Sequence, residues 1–184
     1  GLGDVYKRQL EQRSPGVASY HIPILCRVVG PLDYEVLEAA LATVVARHES
    51  LRTTFAQIDG EPTAVIHAEM PVELARLNVT REALSARERE AEALRLLAST
   101  VAEPFDFERG PLLRATLAAV GEREHFLLVT VHHIVFDGGS VGVLLRELDA
   151  CYAAIRRGES PALPPLPIQY LSLIHISEPT RQAE

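Results

Sequence analysis

The sequence is poor in basic side chains, and nowhere does it gather them into a stripe. Its 18 lysine and arginine residues are outnumbered by 25 aspartate and glutamate residues, which gives a formal net charge of −7 at pH 7. A nucleic-acid-binding surface needs clustered positive charge, so this balance argues against such a partner. The chain also lacks an apolar run of membrane-spanning length and a signal peptide at its start, which argues against a membrane protein.

Cysteine is scarce as well, with only two residues in 184. Cys26 falls in a strand-like segment and Cys151 in a predicted helix, and neither belongs to a disulfide or metal-binding motif. Such isolated cysteines are typical of buried core thiols in a reducing compartment. The sequence therefore predicts a cytoplasmic protein, and its length suffices for one domain with a substantial core.

The two ends of the chain are related to each other at the level of DNA. One choice of codons for residues 171–179 is the reverse complement of codons that encode residues 1–9. An inverted repeat flush with both termini is typical of a sequencing adapter that has been translated with the gene. We therefore interpret residues 1–9 and 171–184 as adapter artefacts and assign them, with His175, no part in the fold or function. Residues 10–170 are then the genuine segment, which we expect to be cut at both ends.

Hydrophobic periodicity and turn signals predict a mixed α+β fold. Period-two and continuous apolar patterns predict strands at residues 19–29, 53–58, 63–67, 72–79, 112–120 and 125–133. Helical periodicity predicts three helices, which begin after the capping residues Asp33, Ser85 and Ser140. The third helix runs to about residue 157, and a proline-rich connector follows at residues 158–167. The strand pairs are expected to be antiparallel rather than doubly wound.

The most distinctive stretch lies where the last predicted strand breaks into a turn. A nearly continuous apolar run at residues 126–131, the pattern of a strand buried on both faces, ends in His132 and His133. Asp137 and Gly138 then supply strong turn chemistry. Two imidazoles and a carboxylate thus meet at a strand end, a position that often carries chemistry on a rigid scaffold.

Alternation along the strand directs His132 and His133 to opposite faces. One of them can face a given site, and the other must be satisfied by packing or a hydrogen bond. A metal site is the competing interpretation, but adjacent histidines on opposite faces cannot both bind one ion without distorting the strand. No cysteine or carboxylate cluster completes a coordination shell either, so we expect no metal. Asp137 lies across the turn, where it can orient an imidazole or accept an arginine.

The sequence HHIVFDGGS at residues 132–140 resembles the HHxxxDG signature of nonribosomal peptide synthetase condensation domains. Upstream, RHESLRTTF at residues 47–55 is similar to the same family's RHExLRTxF motif. Further family-like text stands at residues 20–23 (YHIP), 104–107 (PFDF) and 110–114 (GPLLR). Two motifs in the right order, with this intervening text, extend the resemblance over essentially all of residues 10–170. Gly139 departs from the family, which commonly has tryptophan there, and this loosens packing at the turn.

The resemblance implies a chloramphenicol-acetyltransferase-like fold, in which two similar lobes enclose an active-site tunnel. This chain then supplies the N-terminal lobe with the histidine motif, and the C-terminal lobe of the same domain is missing. Half a tunnel implies little or no activity for the chain alone. The face meant for the second lobe is expected to be exposed, which favours aggregation.

The reaction implied by the resemblance is amide formation between two carrier-bound thioesters. The α-amino group of an aminoacyl thioester attacks an upstream acyl or peptidyl thioester. The physical requirements are amine positioning, proton removal and oxyanion stabilisation. No metal or organic cofactor bound by the domain itself is implied, because the phosphopantetheine arms belong to the upstream and downstream peptidyl carrier domains.

By resemblance, His133 is the catalytic residue, and whether it acts as a general base or mainly positions the amine stays open. His132 and Asp137 are implied to be framework groups, and Gly138 lets backbone approach the substrate closely. The resemblance also implies that Asp137 pairs with an arginine. Arg52 is the candidate because it lies in the other family-like motif, the alternative being a solvated charge at a helix end.

Two other functions fit the same sequence. An epimerisation domain shares the fold and the HHxxxDG motif but moves an α-proton instead of joining two chains, and the discriminating sequence lies beyond residue 170. A non-catalytic carrier-docking or recruitment domain on the same fold is the other. Such domains usually lose the histidines, whereas His132, His133 and Asp137 are all retained here.

Overall fold

A computed structural model describes residues 20–58, 61–80 and 84–166. Its strands are β1 (His21–Val29), β2 (Thr53–Ile58), β3 (Glu61–Ile66), β4 (Leu74–Asn78), β5 (Leu113–Gly121) and β6 (Glu124–His132). Its helices are α1 (Tyr34–Arg47), α2 (Ala86–Val101) and α3 (Val141–Arg156). These elements match those predicted from periodicity, with ends that differ by one or two residues. The terminal segments interpreted as adapter lie outside the described residues, so that interpretation stays a prediction.

The strands form one four-stranded sheet and one separate hairpin. The sheet order is β1-β6-β5-β4, with β1, β6 and β5 antiparallel and β4 parallel to β5. The hairpin consists of the antiparallel strands β2 and β3. The sheet is therefore mixed and largely antiparallel, as the sequence predicts.

Helices cover both faces of the sheet, which explains the continuous apolar run of β6. On one face, Leu127 and Val129 join the larger core, to which α1 and α3 contribute their buried stripes. On the other face, Phe126 and Leu128 join a smaller core with Leu97 of α2. Because each face of β6 is buried against helix, hydrophobic residues occupy successive positions instead of alternating with polar ones.

Two of the three helices begin as the sequence predicts. The Asp33 carboxylate accepts a hydrogen bond from the Val36 amide at 3.2 Å. Ser85 and Glu88 form a complete capping box at the start of α2. The hydrogen bonds from the Ser85 hydroxyl and amide hold the pKa of Glu88 below its ordinary value. Caps of this kind typically stabilise a helix by about 1 kcal/mol.

The two cysteines are both free thiols. Cys151 is fully buried in α3, as predicted, whereas Cys26 on β1 is only half-buried. Burial raises the pKa of both thiols above the ordinary value. In the part of the chain that the structure describes, no helix is both long and apolar enough to span a membrane.

Candidate active site

The histidine motif sits at the junction between β6 and the turn that leads to α3. His132 is the last residue of β6 and is paired across the sheet with His21 of β1. His133 begins the turn, and its backbone N–H donates to the Tyr20 carbonyl at 2.8 Å. The His132 amide donates to the Leu112 carbonyl at 3.0 Å on the other side. Both neighbouring segments therefore hold the backbone at the point where the motif leaves the sheet.

The imidazole of His132 is enclosed by aromatic rings. Its side chain is 1% exposed. The ring centroid lies 4.8 Å from that of Phe107, 5.6 Å from that of His21 and 6.0 Å from that of Phe105. Nδ1 of His132 accepts a hydrogen bond from the Ile134 amide at 3.1 Å. An accepting Nδ1 carries no proton, so a neutral ring has its proton on Nε2. His132 thus anchors the backbone of the turn rather than facing solvent.

The side chain of His133 lies in a different environment, because it is exposed. The alternation argument is confirmed in this respect: one imidazole is inside and the other outside. The cavities of about 580 and 470 Å³ near residues 30–35 do not include His133 among their lining residues. His133 is therefore accessible from outside the described part of the chain.

Asp137 organises the turn through Ser140. Its Oδ1 accepts hydrogen bonds from the Ser140 amide and the Ser140 hydroxyl, both at 2.9 Å. It caps a short 3-10 turn, Gly138–Ser140, that runs into α3. The prediction that Ser140 itself caps the helix is wrong, because Ser140 makes no side-chain capping bond and donates backwards to the carboxylate instead.

The two glycines of the turn differ in the space around them. A Cβ at Gly138 meets no atom within 4 Å, whereas a Cβ at Gly139 lies 3.3 Å from Oδ1 of Asp137. Gly138 is exposed, so its backbone is accessible to an approaching molecule. The neighbouring position is the tighter one, because a side chain there has to share space with the capping carboxylate.

Arg52 does not meet Asp137 in this structure. Its guanidinium donates from Nη1 to the carbonyls of His67 and Ala68, where the chain leaves β3. None of the ion pairs within the described residues joins Arg52 to Asp137, whose carboxylate is engaged by Ser140. The expected pair is thus not formed, because both partners find hydrogen bonds in their own segments.

The RHESLRTTF segment contacts α3 through a charged cluster that was not predicted from the sequence. Glu147, in the middle of α3, accepts from Nε of Arg47 at 3.1 Å and lies 2.7 Å from Nε2 of His48. Arg47 also donates to the Pro164 carbonyl of the connector. The Glu147 side chain is 12% exposed, so its charge is largely removed from solvent. The available signal was an acidic residue on the otherwise apolar face of a predicted helix.

A second link runs from β2 to His132 through Phe107. The Phe55 amide of β2 donates to the Phe107 carbonyl at 2.7 Å, and the two rings meet edge-on at 6.4 Å. Phe107 in turn packs against His132. The family-like PFDF segment therefore connects the two motifs, a role that no sequence pattern indicated.

The described residues offer no obvious metal centre. Within residues 20–58, 61–80 and 84–166, no group of three or more histidine, cysteine, aspartate or glutamate side chains could hold an ion. What the arrangement can do is present one exposed imidazole at a fixed strand end, backed by a buried one.

Comparison with known proteins gives a consistent assignment. The family model described as "Condensation domain" matches residues 7–183. That match extends into both terminal segments that we set aside from the sequence. One protein of the linear gramicidin synthase from Brevibacillus parabrevis is 45% identical over 160 residues, which is 87% of this chain and 2% of that protein.

Two solved structures extend the comparison. The starter condensation domain of rhizomide synthetase RzmA superposes with a TM-score of 0.84 at 22% identity, over 96% of this chain and 42% of that one. The X-domain in complex with OxyB from teicoplanin biosynthesis has a TM-score of 0.79 at 36% identity, over 92% of this chain and 35% of that one. These neighbours confirm the predicted α+β, chloramphenicol-acetyltransferase-like fold. Because the family model matches nearly the whole chain, the chain belongs to the condensation-domain family of nonribosomal peptide synthetases.

Proposed function

We propose that the domain containing this chain forms an amide bond between an acyl or peptidyl thioester and an aminoacyl thioester, each held on a carrier domain. The observation that carries the proposal is the exposed imidazole of His133 at a strand end fixed by β1 and β5. The proposal draws further support from the relationship to gramicidin synthase. The chain spans only 2% of that synthetase, so substrates and carriers are part of the proposal.

In the proposed step, the acceptor amine attacks the carbonyl carbon of the donor thioester. A C–N bond forms, the C–S bond breaks, and the amine loses a proton while the leaving thiolate gains one. A neutral imidazole is well suited to take up that proton near pH 7 and to orient the amine before attack. We assign this role to His133.

The remaining motif residues have supporting roles in the proposal. His132 holds the turn through the Ile134 amide, and its enclosed ring leaves it no access to substrate. Asp137 closes the turn onto Ser140. Gly138 leaves open space into which a substrate backbone or pantetheine arm can come close. Positioning of this kind supplies much of the rate advantage in reactions that need little covalent chemistry from the protein.

The partners of the domain are the upstream and downstream peptidyl carrier domains and a C-terminal lobe that completes the tunnel. The phosphopantetheine arms of the carriers bring both thioesters to His133, and the proposal needs no metal and no cofactor bound by the lobe itself. We place the reaction in the cytoplasm, which agrees with the two free thiols.

The test uses a complete condensation domain that carries this lobe, together with one acyl-loaded and one aminoacyl-loaded carrier. We expect the acyl group to move to the acceptor carrier, which intact-protein mass spectrometry detects as a mass gain on that carrier. A reaction in deuterated water separates the epimerisation alternative, because exchange of the α-proton adds deuterium without joining the two chains. Deuterium uptake with no transfer would contradict the proposal.

A recruitment domain is the second candidate, because the X-domain of the teicoplanin complex is 36% identical to this chain. That neighbour is described in complex with another protein, OxyB. Under this alternative, neither acyl transfer nor deuterium uptake occurs in the same assay. The retained histidine pair favours transfer.

A further inference from the structure

Arg114 of β5 supports one end of helix α2 and the loop that follows it. Its guanidinium donates to the carbonyls of Pro104 at 3.0 Å, Thr100 at 3.4 Å and Glu103. The last turn of α2 contains no basic residue of its own. Arg114 therefore supplies, from the neighbouring strand, the positive charge and the donors that the carbonyl end of a helix requires.

The same side chain also fixes an aromatic ring. The guanidinium carbon of Arg114 lies 3.9 Å from the ring centroid of Phe105, a stacked cation–π arrangement. Arg114 is half-buried, and burial lowers the pKa of its guanidinium, while Glu103 opposes this effect. Arginine nevertheless keeps its charge in proteins, so both the stacking and the hydrogen bonds persist.

The segment held by Arg114 forms the enclosure of His132. Phe105 meets the rings of His21 and His132 edge-on, at centroid distances of 4.9 and 6.0 Å. The Val101 carbonyl at the end of α2 lies 2.6 Å from Nδ1 of His21. Two walls of the enclosure, Phe105 and His21, thus depend on the stretch from Val101 to Phe105.

We propose that Arg114 is a positioning residue for the reaction assigned to His133. It holds the end of α2, this segment holds Phe105 and His21 against His132, and His132 holds the Ile134 amide in the turn that presents His133. The proposal rests on the proposed function only for its effect on rate, because the effect on the His132 ring exists whatever the domain does.

The substitution Arg114→Lys tests this chain of contacts. Lysine keeps the positive charge but lacks the planar fork that reaches several carbonyls and stacks on a ring. Arg27→Lys is the matched control. Arg27 also lies on a strand of this sheet with its guanidinium carbon 5.8 Å from a phenylalanine ring, that of Phe126, but it pairs with exposed Glu124 and contacts no wall of the enclosure.

Two measurements on the complete condensation domain decide the question. We expect Arg114→Lys to lower kcat for acyl transfer by about tenfold to a hundredfold with KM within about twofold, as small misplacements do. In a domain with ¹⁵N-labelled histidine rings, the His132 ring signals are expected to shift. Arg27→Lys is expected to change neither quantity.

A purely structural role predicts a different pattern, in which the folded fraction decreases but the folded molecules keep the wild-type kcat and the wild-type His132 signals. That result overturns the proposal. Should Arg114→Lys fail to fold, Phe105→Leu decides, since it keeps the carbonyl bonds and removes the ring. Shifted His132 signals with a reduced kcat support the proposal, and unchanged signals contradict it. Absence of transfer in the wild-type domain contradicts the proposed function alone, because the His132 signals still report on Arg114.

Discussion

The carboxylate of Glu147 lies 2.7 Å from Nε2 of His48, and its other oxygen lies 3.1 Å from Nε of Arg47. This contact joins the end of α1 to the middle of α3, the helix that follows the histidine turn. It is the charged connection between the two family-like motifs, in place of the expected one between Arg52 and Asp137.

Substitution of Glu147 by glutamine leaves Arg47 and His48 without their common anionic partner in a largely buried site. We expect the domain to lose about 2–4 kcal/mol of unfolding free energy, since removal of one partner from a buried ion pair is costly. Urea denaturation of the complete domain measures this. The exposed pair between Glu92 and Arg95 provides the control. Glu92→Gln is expected to cost less than about 0.5 kcal/mol. Equal effects of the two substitutions contradict the buried-cluster interpretation.

Substitution of His132 by phenylalanine preserves an aromatic ring in the enclosure but removes the acceptor for the Ile134 amide. We expect a loss of about 1–3 kcal/mol, because a buried donor is left unsatisfied. The specific readout is hydrogen exchange at the Ile134 amide, which is expected to accelerate. His133→Ala serves as the control and is expected to leave this amide protected. An unchanged exchange rate in His132→Phe means that His132 does not hold the turn.

The neighbouring glycines of the turn predict opposite effects. Gly138→Ala places its methyl group in open space, so we expect stability within about 0.5 kcal/mol of wild type and a lower rate of acyl transfer if substrate approaches there. Gly139→Ala places its methyl group 3.3 Å from the Asp137 carboxylate and is expected to be the less stable of the two. Thermal midpoints and single-turnover transfer rates distinguish them. The prediction fails if Gly138→Ala is the more damaging substitution for stability.

His125, at the opposite end of β6 from the motif, predicts a pH dependence of stability. Burial lowers the pKa of this imidazole below its unfolded value of about 6.5. The unfolded chain therefore binds the proton more readily. The stability is complete above the unfolded pKa and decreases as the pH falls through it towards the folded pKa. His125→Gln is expected to reduce the loss of stability between about pH 7.5 and pH 5.5, as measured by urea denaturation at each pH. An identical loss in both proteins contradicts this.

The chain alone is expected to be poorly soluble and inactive. Large apolar side chains are exposed on its described surface, namely Leu25, Val29, Ile58 and Ile66, and the proposed tunnel needs a second lobe. Size-exclusion chromatography of the chain and of the complete domain compares the two states. A soluble monomer of the chain with full transfer activity refutes the two-lobe account.

Local patterns predicted most of the fold, because each element carries its own signal. The capping box at Ser85 and the two-sided apolar run of β6 are examples in which short-range chemistry and tertiary structure agree. The parallel pairing of β4 with β5 is different, since it joins residues distant in sequence and depends on the packing of α2. Short-range chemistry contains no information about such pairing.

The histidine motif was recognisable from the sequence, but its supporting contacts were not. Alternation separated His132 from His133 because it follows from strand geometry alone. The partner of Asp137 could not be predicted in this way, since a carboxylate in a turn chooses between a distant arginine and a nearby serine, and Ser140 lies only three residues away. Arg114 illustrates the same limit, because its three carbonyl partners belong to a helix end that sequence proximity does not bring near β5.

The central claim is that His133 is the reacting imidazole, and single-turnover acyl transfer by the complete domain tests it most directly. The comparison is between His133→Gln and His125→Gln, two histidine substitutions at opposite ends of β6. We predict that His133→Gln lowers the transfer rate by about a hundredfold or more, the range typical for loss of an acid–base or positioning group, while His125→Gln stays within about twofold of wild type. A folded His133→Gln domain that transfers the acyl group at the wild-type rate contradicts the claim.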